Sequence, residues 1–299
     1  MNLLNKAVVA ALPLVPKSIV RKFANRYIAG DKLNDAVAVT KKLNEMGIMT
    51  TMDVLGEDVF NEADAMRSMQ ESIDVLEAID KHRLVSNLSL KLTSLGLKIN
   101  YDFCLQNLCT IFEKSKSLNI FVRIDMEDSS CTTDTINLFK HARETNPNCG
   151  IVLQAYLQRT EDDVCELVKS KTNFRLCKGI YVEPEEIAFK TKEEINLSYL
   201  RILKIILENN CYPGIATHDD ALVKGAYKLI EELKLEKNEY EFQMLLGVRE
   251  GLRNQILKNS HRLRVYIPFG THWYQYSIRR FKENPQVAGY VLKSIFSSK

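Results

Sequence analysis

The sequence repeats one pattern eight times from residue 46 onward: a short apolar run, a few polar residues, and a longer amphipathic segment. The apolar runs are Gly47–Leu55, Leu84–Leu92, Ile120–Met126, Gly150–Leu157, Phe174–Tyr181, Pro213–Thr217, Glu241–Gly247 and Leu263–Phe269. Between them, segments such as TDTINLFKHARE carry apolar residues at i, i+3 and i+4, which predicts helices with one buried face. Eight strand–helix units in roughly 240 residues predict a (β/α)₈ TIM-type barrel.

An open, doubly wound sheet is the alternative interpretation of this alternation. That fold usually has a glycine-rich turn after its first strand, and the chain contains no G-x-G-x-x-G or Walker sequence. We therefore predict that residues 46–299 form a single barrel domain, and that residues 1–45 add an N-terminal helical segment outside it.

The N-terminal segment is basic, because no acidic residue precedes Asp31. Its cations are Lys6, Lys17, Arg21, Lys22 and Arg26. Its apolar piece AVVAALPLV is too short to span a bilayer and contains a proline. Two interpretations remain open: an amphipathic segment that lies on an anionic membrane surface, and a helical cap that packs on the barrel.

Composition excludes several classes of function. The chain has 41 basic and 38 acidic residues, so no nucleic-acid partner is expected. Its seven Cys show neither C-x-x-C spacing nor clustering with His, which favours a reduced, cytoplasmic compartment without disulfides or structural zinc. No H-x-E or H-E-x-x-H pattern occurs, so we expect no metal.

Polar residues occur at the C-terminal end of nearly every predicted strand, where barrel enzymes have their active sites. They are Asp53, Glu57, Lys91, Asp125, Glu127, Gln154, Tyr156, Arg175, Lys178, Tyr181, Thr217, His218, Asp219, Gln243 and Tyr266. Any one buried charge is explained as well by a structural ion pair, because a lone buried charge is unstable. Polar groups on almost every strand end are better explained by one shared site.

This predicted site is rich in cations, which favours an anionic substrate or cofactor. The cations are Lys91, Arg175, Lys178, Arg279 and Arg280. The last two are adjacent on the helix after strand eight, and paired guanidiniums suit a carboxylate. Since binding groups outnumber acid–base groups, the set suits an enzyme whose cofactor carries the difficult step.

Seven stretches at these strand ends resemble the FAD-dependent proline dehydrogenases of the stand-alone type. They are MDVLGE, FVRIDMED, IVLQAYLQR, FRLCKGIYVEP, ATHD, YEFQMLLGV and RVYIPFGTHWYQYSIRRFKENP. The resemblance extends from about Tyr27 to Pro285, and its pieces occur in the family's order. Each piece alone is a weak motif, whereas the ordered set is specific.

The resemblance implies a role for each matching residue. Asp125 and Arg175 would be the catalytic residues, beside the substrate and the reactive flavin nitrogen. The proline carboxylate would be held by Lys91, Arg279 and Arg280, and the ring by Tyr181, Leu245, Tyr266 and Tyr276. FAD would be held by Met126, Gln154, Lys178, Gly179, Ile180, Thr217 and His218. Glu57 would act as a gate over the site.

The resemblance also implies a reaction. A hydride would pass from the proline ring carbon next to nitrogen to flavin N5, which gives 1-pyrroline-5-carboxylate, and the electrons would continue to a membrane quinone. The basic N-terminus would then contact the inner face of the membrane, or the matrix side in a mitochondrion. Relatives that act on hydroxyproline carry a smaller residue in place of Tyr276, so proline is the expected substrate. Cys177, Ile180 and Asp219 depart from the family pattern. A flavin barrel that acts on a folate and a catalytically silent barrel remain alternatives.

Overall fold

The computed structural model describes residues 17–57 and 59–283, without the side chains of residues 18, 19 and 279–283. Eight parallel strands form a closed barrel in sequence order. The strands are β1 Met49–Val54, β2 Ser86–Leu90, β3 Val122–Ile124, β4 Cys149–Gln154, β5 Asn173–Cys177, β6 Pro213–Ala216, β7 Glu241–Leu245 and β8 Leu263–Phe269. The register between β1 and β8 runs from Met49 opposite Arg264 to Val54 opposite Phe269, and it closes the sheet. The predicted (β/α)₈ fold is confirmed.

Helices on the outside connect the strands. The described helices are α1 Lys17–Ala24, α2 Leu33–Glu45, α3 Glu62–Lys81, α4 Tyr101–Leu118, α5 Thr132–Thr145, α6 Thr160–Leu167, α7 Lys192–Glu208, α8 Asp220–Glu232, α9 Glu250–Lys258 and α10 Trp273–Glu283. Short polar residues begin several of them: Asn61 accepts a hydrogen bond from Asp64 N before α3, and Thr191 forms a capping box with Glu194 before α7. These caps fix where each loop over the barrel mouth ends.

Several predicted apolar runs continue past the strands. The run Phe174–Tyr181 contains β5 only as far as Cys177, since the chain then turns through Gly179 with φ +106°. Likewise the run Gly150–Leu157 contains β4 only as far as Gln154, which pairs with Cys177 at the end of β5. Hydropathy does not reveal these ends, because apolar residues such as Tyr156 and Ile180 continue the runs beyond them.

The helix that covers the seam between β8 and β1 is α2, which precedes the barrel in sequence. The helix after β8, α10, instead packs against α1. Val20, Tyr27, Leu55 and Tyr276 share a small apolar cluster, separate from the main core. This arrangement leaves α10 at the C-terminal end of the strands, above the barrel mouth. The division of the chain at residue 45 stays a prediction.

Among the helices within the described ranges, none is long and apolar enough to cross a membrane.

Candidate active site

A cavity of about 700 Å³ opens at the C-terminal ends of the strands. It brings together fifteen of the predicted site residues: Glu57, Lys91, Asp125, Met126, Gln154, Arg175, Lys178, Gly179, Ile180, Tyr181, Thr217, His218, Leu245, Tyr266 and Tyr276. The side chains of Arg279 and Arg280 lie outside the described residues, although their backbone belongs to α10. Their roles, like those of the other residues, stay predictions.

Asp125, just after β3, is at the centre of a buried hydrogen-bond network. Its Oδ1 accepts from Arg175 Nη1 at 2.8 Å and from Ser89 Oγ at 2.6 Å. Its Oδ2 accepts from the Tyr266 hydroxyl at 2.8 Å. Burial and the Asp125 charge raise the pKa of Tyr266 well above its usual value, so this hydroxyl stays a donor. One carboxylate therefore fixes groups from three other strands.

Lys91, just after β2, lies near Asp125 and is paired with a second acid, Asp53. Its Nζ lies 2.9 Å from Asp53 Oδ1, 3.0 Å from Asp53 Oδ2 and 4.0 Å from Asp125 Oδ2. Burial opposes the charge on Lys91, but Asp53 and Asp125 outweigh it and raise the Lys91 pKa. Burial, with Asp125 adding to it, raises the pKa of Asp53 to about 6 despite the opposing charge of Lys91. Lys91 is consequently a permanent cation at neutral pH.

Gln154 and Arg175 each carry one buried atom that makes no hydrogen bond to any described residue. Gln154 Nε2 donates to the carbonyls of Met126 and Glu127, at 3.2 and 3.3 Å, while its Oε1 has no partner. Arg175 donates hydrogen bonds from Nε and Nη1, while its Nη2 has no partner among the described residues. Buried polar atoms are normally satisfied, so an unused acceptor and an unused donor beside one cavity indicate a polar ligand.

The side of the cavity formed by β5 and β6 carries the other predicted cofactor residues. Lys178 Nζ lies 2.7 Å from Asp219 Oδ2, and Lys192 lies 3.2 Å from the same oxygen. Asp219 also begins α8, because its Oδ1 accepts from Ala221 N. His218 Nε2 accepts from the backbone N–H of Leu245 at 3.0 Å, so this nitrogen carries no proton.

Aromatic and aliphatic side chains form the remaining wall. Tyr276 is buried at 9% exposure, and the Tyr266 ring lies 5.2 Å from the Arg175 guanidinium carbon. Leu245 and Tyr181 are half-buried at the mouth. Three tyrosine rings and a leucine side chain in this wall suit contact with a small apolar ring.

Sequence reasoning assigned no role to two residues of this network. Asp53 pairs with Lys91. An acid inside an apolar run predicts an ion pair, but the sequence does not identify Lys91 as its partner. Ser89 contacts both Asp125 and Arg175, yet a single serine in a strand carries no sequence signal.

The chain is similar to proline dehydrogenases over most of its length. The family model described as proline dehydrogenase matches residues 36–292. Proline dehydrogenase 1 of Bacillus subtilis subsp. natto is 38% identical over 272 residues, which cover 91% of this chain and 90% of that protein. Proline dehydrogenase of Deinococcus radiodurans is 31% identical over 277 residues, covering 91% and 89%.

Solved structures give the same result for the fold. Proline utilization A from Bdellovibrio bacteriovorus, inactivated by N-propargylglycine, superposes with a TM-score of 0.82 at 26% identity. The match covers 89% of this chain and 33% of that longer chain. On the family match, the identity to relatives of similar length and the shared barrel, this chain belongs to the proline dehydrogenase family.

Proposed function

We propose that the chain oxidises L-proline to 1-pyrroline-5-carboxylate with FAD as hydride acceptor, and that the electrons pass on to a membrane quinone. The observation that carries the proposal is the Arg175–Asp125–Tyr266 network, which faces a cavity in which Arg175 and Gln154 keep unused atoms. Bound FAD would supply the two-electron chemistry that no side chain here provides.

The residues fit a flavin dinucleotide. A flavin ring edge presents both carbonyl acceptors and an N–H donor, which match Arg175 Nη2 and Gln154 Oε1. Gly179 also lines the cavity, and the fold requires glycine there because φ is +106° and a Cβ would lie 2.0 Å from the Tyr156 ring. Lys178 and the N-terminus of α8 offer positive charge for phosphates, although Lys178 forms an ion pair with Asp219 in this structure.

The substrate residues would bind and orient proline. Lys91, held as a cation by two acids, would neutralise part of the carboxylate charge, and Arg279 and Arg280 would complete a clamp by two forked donors. Tyr276 and Tyr266 would confine the ring against the cavity wall, which supplies orientation rather than acid–base chemistry. Tyr276 lines the cavity at the position where relatives that act on hydroxyproline carry a smaller residue, which favours proline over hydroxyproline.

Asp125 would act mainly by fixing its neighbours. Three donors already occupy its two oxygens, so it is poorly placed to remove a proton from the substrate. We assign it to hold the Arg175 guanidinium and the Tyr266 ring in place. The substrate nitrogen would have to be neutral before hydride leaves the adjacent carbon, and solvent can take that proton at the open mouth.

We propose that the barrel mouth faces the membrane, at the cytoplasmic surface. Phe60, in the loop after β1, is 86% exposed, and Val182, after β5, is 100% exposed. Both loops lie at the C-terminal end of the strands, as does α10, which α1 contacts. The α1 region adds Lys17, Lys22 and Arg26 to that end, and cations beside exposed apolar groups suit an anionic bilayer.

Vesicle sedimentation tests this orientation. Phe60→Ser and Val182→Ser should each reduce binding to vesicles that contain phosphatidylglycerol. Val85→Ser is the matched control, since Val85 is 56% exposed but precedes β2 at the opposite end of the barrel. Equal losses in all three variants would contradict the orientation.

Anaerobic titration tests the proposed reaction. The purified protein should be yellow, and L-proline should bleach the flavin absorbance without oxygen. A yellow protein that proline does not bleach would retain the flavin and reject the substrate; a folate that bleached it would favour the alternative barrel. A colourless protein that binds no added FAD would reject both.

A further inference from the structure

The barrel interior beneath Arg175 contains a chain of buried contacts that the proposed function leaves unused. Arg175 Nε donates to Gln243 Oε1 at 2.5 Å, and Gln243 Nε2 donates to Glu241 Oε1 at 2.6 Å. Arg264 completes the chain with two contacts to Glu241, at 2.6 and 3.1 Å. Gln243 and Glu241 are 6% and 1% exposed, so water does not compete for these contacts.

The two partners allow the Gln243 amide only one orientation. Arg175 has donors only, so it must meet the amide oxygen. Burial opposes the charge on Glu241, but the Arg264 guanidinium outweighs it and lowers the Glu241 pKa. Glu241 is therefore an acceptor at neutral pH, and it must meet the amide nitrogen. An ionised carboxylate at position 243 would face another carboxylate, and an apolar residue would lose both contacts.

The neighbouring strand makes room for this amide. Gly214 of β6 lies opposite Glu241 in the sheet, and a Cβ on Gly214 would lie 2.3 Å from Gln243 Nε2. A side chain there would displace the amide from Arg175. Gly150 similarly leaves space for the guanidinium of Arg123, at 2.4 Å. The barrel interior thus accommodates large polar side chains through missing Cβ atoms on adjacent strands.

We propose that Gln243 is a positioning residue that fixes the direction of the Arg175 guanidinium. Asp125 and Ser89 hold Nη1 from one side, and Gln243 holds Nε from the other, which together determine where the unused Nη2 points. Gln243 acts through Arg175 and not on the substrate. The inference rests on the proposed function, because Arg175 would lie beside the flavin.

The test compares Gln243→Met with Asn87→Leu in the flavin-loaded protein. Asn87 is a matched control: it is 4% exposed, lies two residues before Ser89 on the same face of β2, and accepts from Thr51 Oγ1 at 2.5 Å, without contacting Arg175. Both variants remove one interior amide and should lower the melting temperature similarly. Only Gln243→Met should slow flavin reduction at saturating proline, by about tenfold, the effect of one hydrogen bond to a charged group.

Two readouts separate positioning from a structural role. The proline concentration that gives half-maximal reduction should stay within about twofold, since Gln243 lies outside the carboxylate clamp. The flavin reduction potential should become more negative, because a misdirected Arg175 stabilises reduced flavin less. Gly214→Ala, which moves the amide without removing it, should change the rate of flavin reduction and the reduction potential in the same direction as Gln243→Met, and it serves if Gln243→Met does not fold.

The wild-type protein separates failure of the proposed function from failure of the positioning role. If proline does not bleach the wild-type flavin, the proposed function fails. If it does, and Gln243→Met and Gly214→Ala match either the wild type or Asn87→Leu in rate and potential, the positioning role is overturned.

Discussion

The Tyr266 hydroxyl on β8 donates to Asp125 after β3 across 2.8 Å, although 141 positions separate them in sequence. The contact spans the barrel interior and holds one edge of the Tyr266 ring, whose face lies against the Arg175 guanidinium. Two residues that would touch substrate and flavin are thus oriented by one carboxylate. Removing either partner of Asp125 should affect catalysis more than folding.

Tyr266→Phe should leave the protein folded and yellow while lowering kcat/KM for proline about tenfold. The ring remains as a wall, but one hydrogen bond to a charged group is lost, worth about 1.5 kcal/mol. Proline-dependent reduction of a dye measures the change. Tyr227→Phe serves as control, because its hydroxyl lies at a different part of the barrel, where the ring stacks on His261. An unchanged kcat/KM in Tyr266→Phe would show that the Asp125–Tyr266 hydrogen bond does not contribute to catalysis.

Lys91→Met should lower the free energy of unfolding by about 3–5 kcal/mol, because it leaves Asp53 and Asp125 buried without their shared cation. Urea unfolding of the apoprotein measures the loss. The double variant Lys91→Met, Asp53→Asn removes one of the two facing charges and should recover part of it. A single variant as stable as the wild type would mean that the pair is not buried as described.

The alternation of apolar runs was sufficient to predict the barrel, because each strand buries both faces and each helix buries one. Charges at strand ends were sufficient to find the cavity, since barrel topology gathers those ends. The contacts within it were not predictable. That Lys91 meets Asp53, and that Gln243 turns its oxygen to Arg175, depends on register and on small neighbours such as Gly214. The hydropathy pattern predicts neither the register nor the position of these small residues.

The place of α2 also escaped sequence reasoning. Its amphipathic pattern predicts a helix with one buried face but not which seam it covers, and it packs across β8 and β1. A helix before the barrel and a helix after it could each pack on that seam, and only tertiary contacts decide between them.

Arg279→Ala and Arg280→Ala should each weaken proline binding by about 1.5–3 kcal/mol while leaving FAD bound, as expected for a lost charged hydrogen bond. Flavin absorbance titrated with a non-reducing proline analogue measures the affinity. Arg249→Ala is the control, because Arg249 is half-exposed near the same end of the barrel and pairs with Asp220. Wild-type affinity in both Arg279 and Arg280 variants would refute the clamp.

Flavin reduction by proline should become faster from about pH 7 to about pH 9, because only the neutral substrate amine can release hydride. Within the site, Lys91 and Tyr266 keep their protons over this range, since the pKa of each is raised. Asp53, whose pKa burial raises to about 6, is already ionised. Stopped-flow reduction at saturating proline measures the profile, and a flat one would contradict a requirement for the neutral amine.

Glu127→Gln should remove a pH-dependent instability of the folded protein. Glu127 is buried and accepts from Thr93 N at 3.0 Å and from Thr93 Oγ1, and burial raises its pKa from 4.5 to about 7. Because the folded pKa exceeds the unfolded one, the group's contribution to stability is full below about pH 4.5 and is lost as pH rises through about 7. The difference amounts to about 3 kcal/mol.

The neutral amide of Glu127→Gln avoids that loss, so the variant should gain stability relative to wild type as pH rises from about 5 to about 8. Urea unfolding at several pH values measures both curves. Glu193→Gln, an exposed change in the first turn of α7, should run parallel to wild type. If Glu127→Gln also runs parallel, Glu127 is ionised throughout, and its bonds to Thr93 must then outweigh its burial.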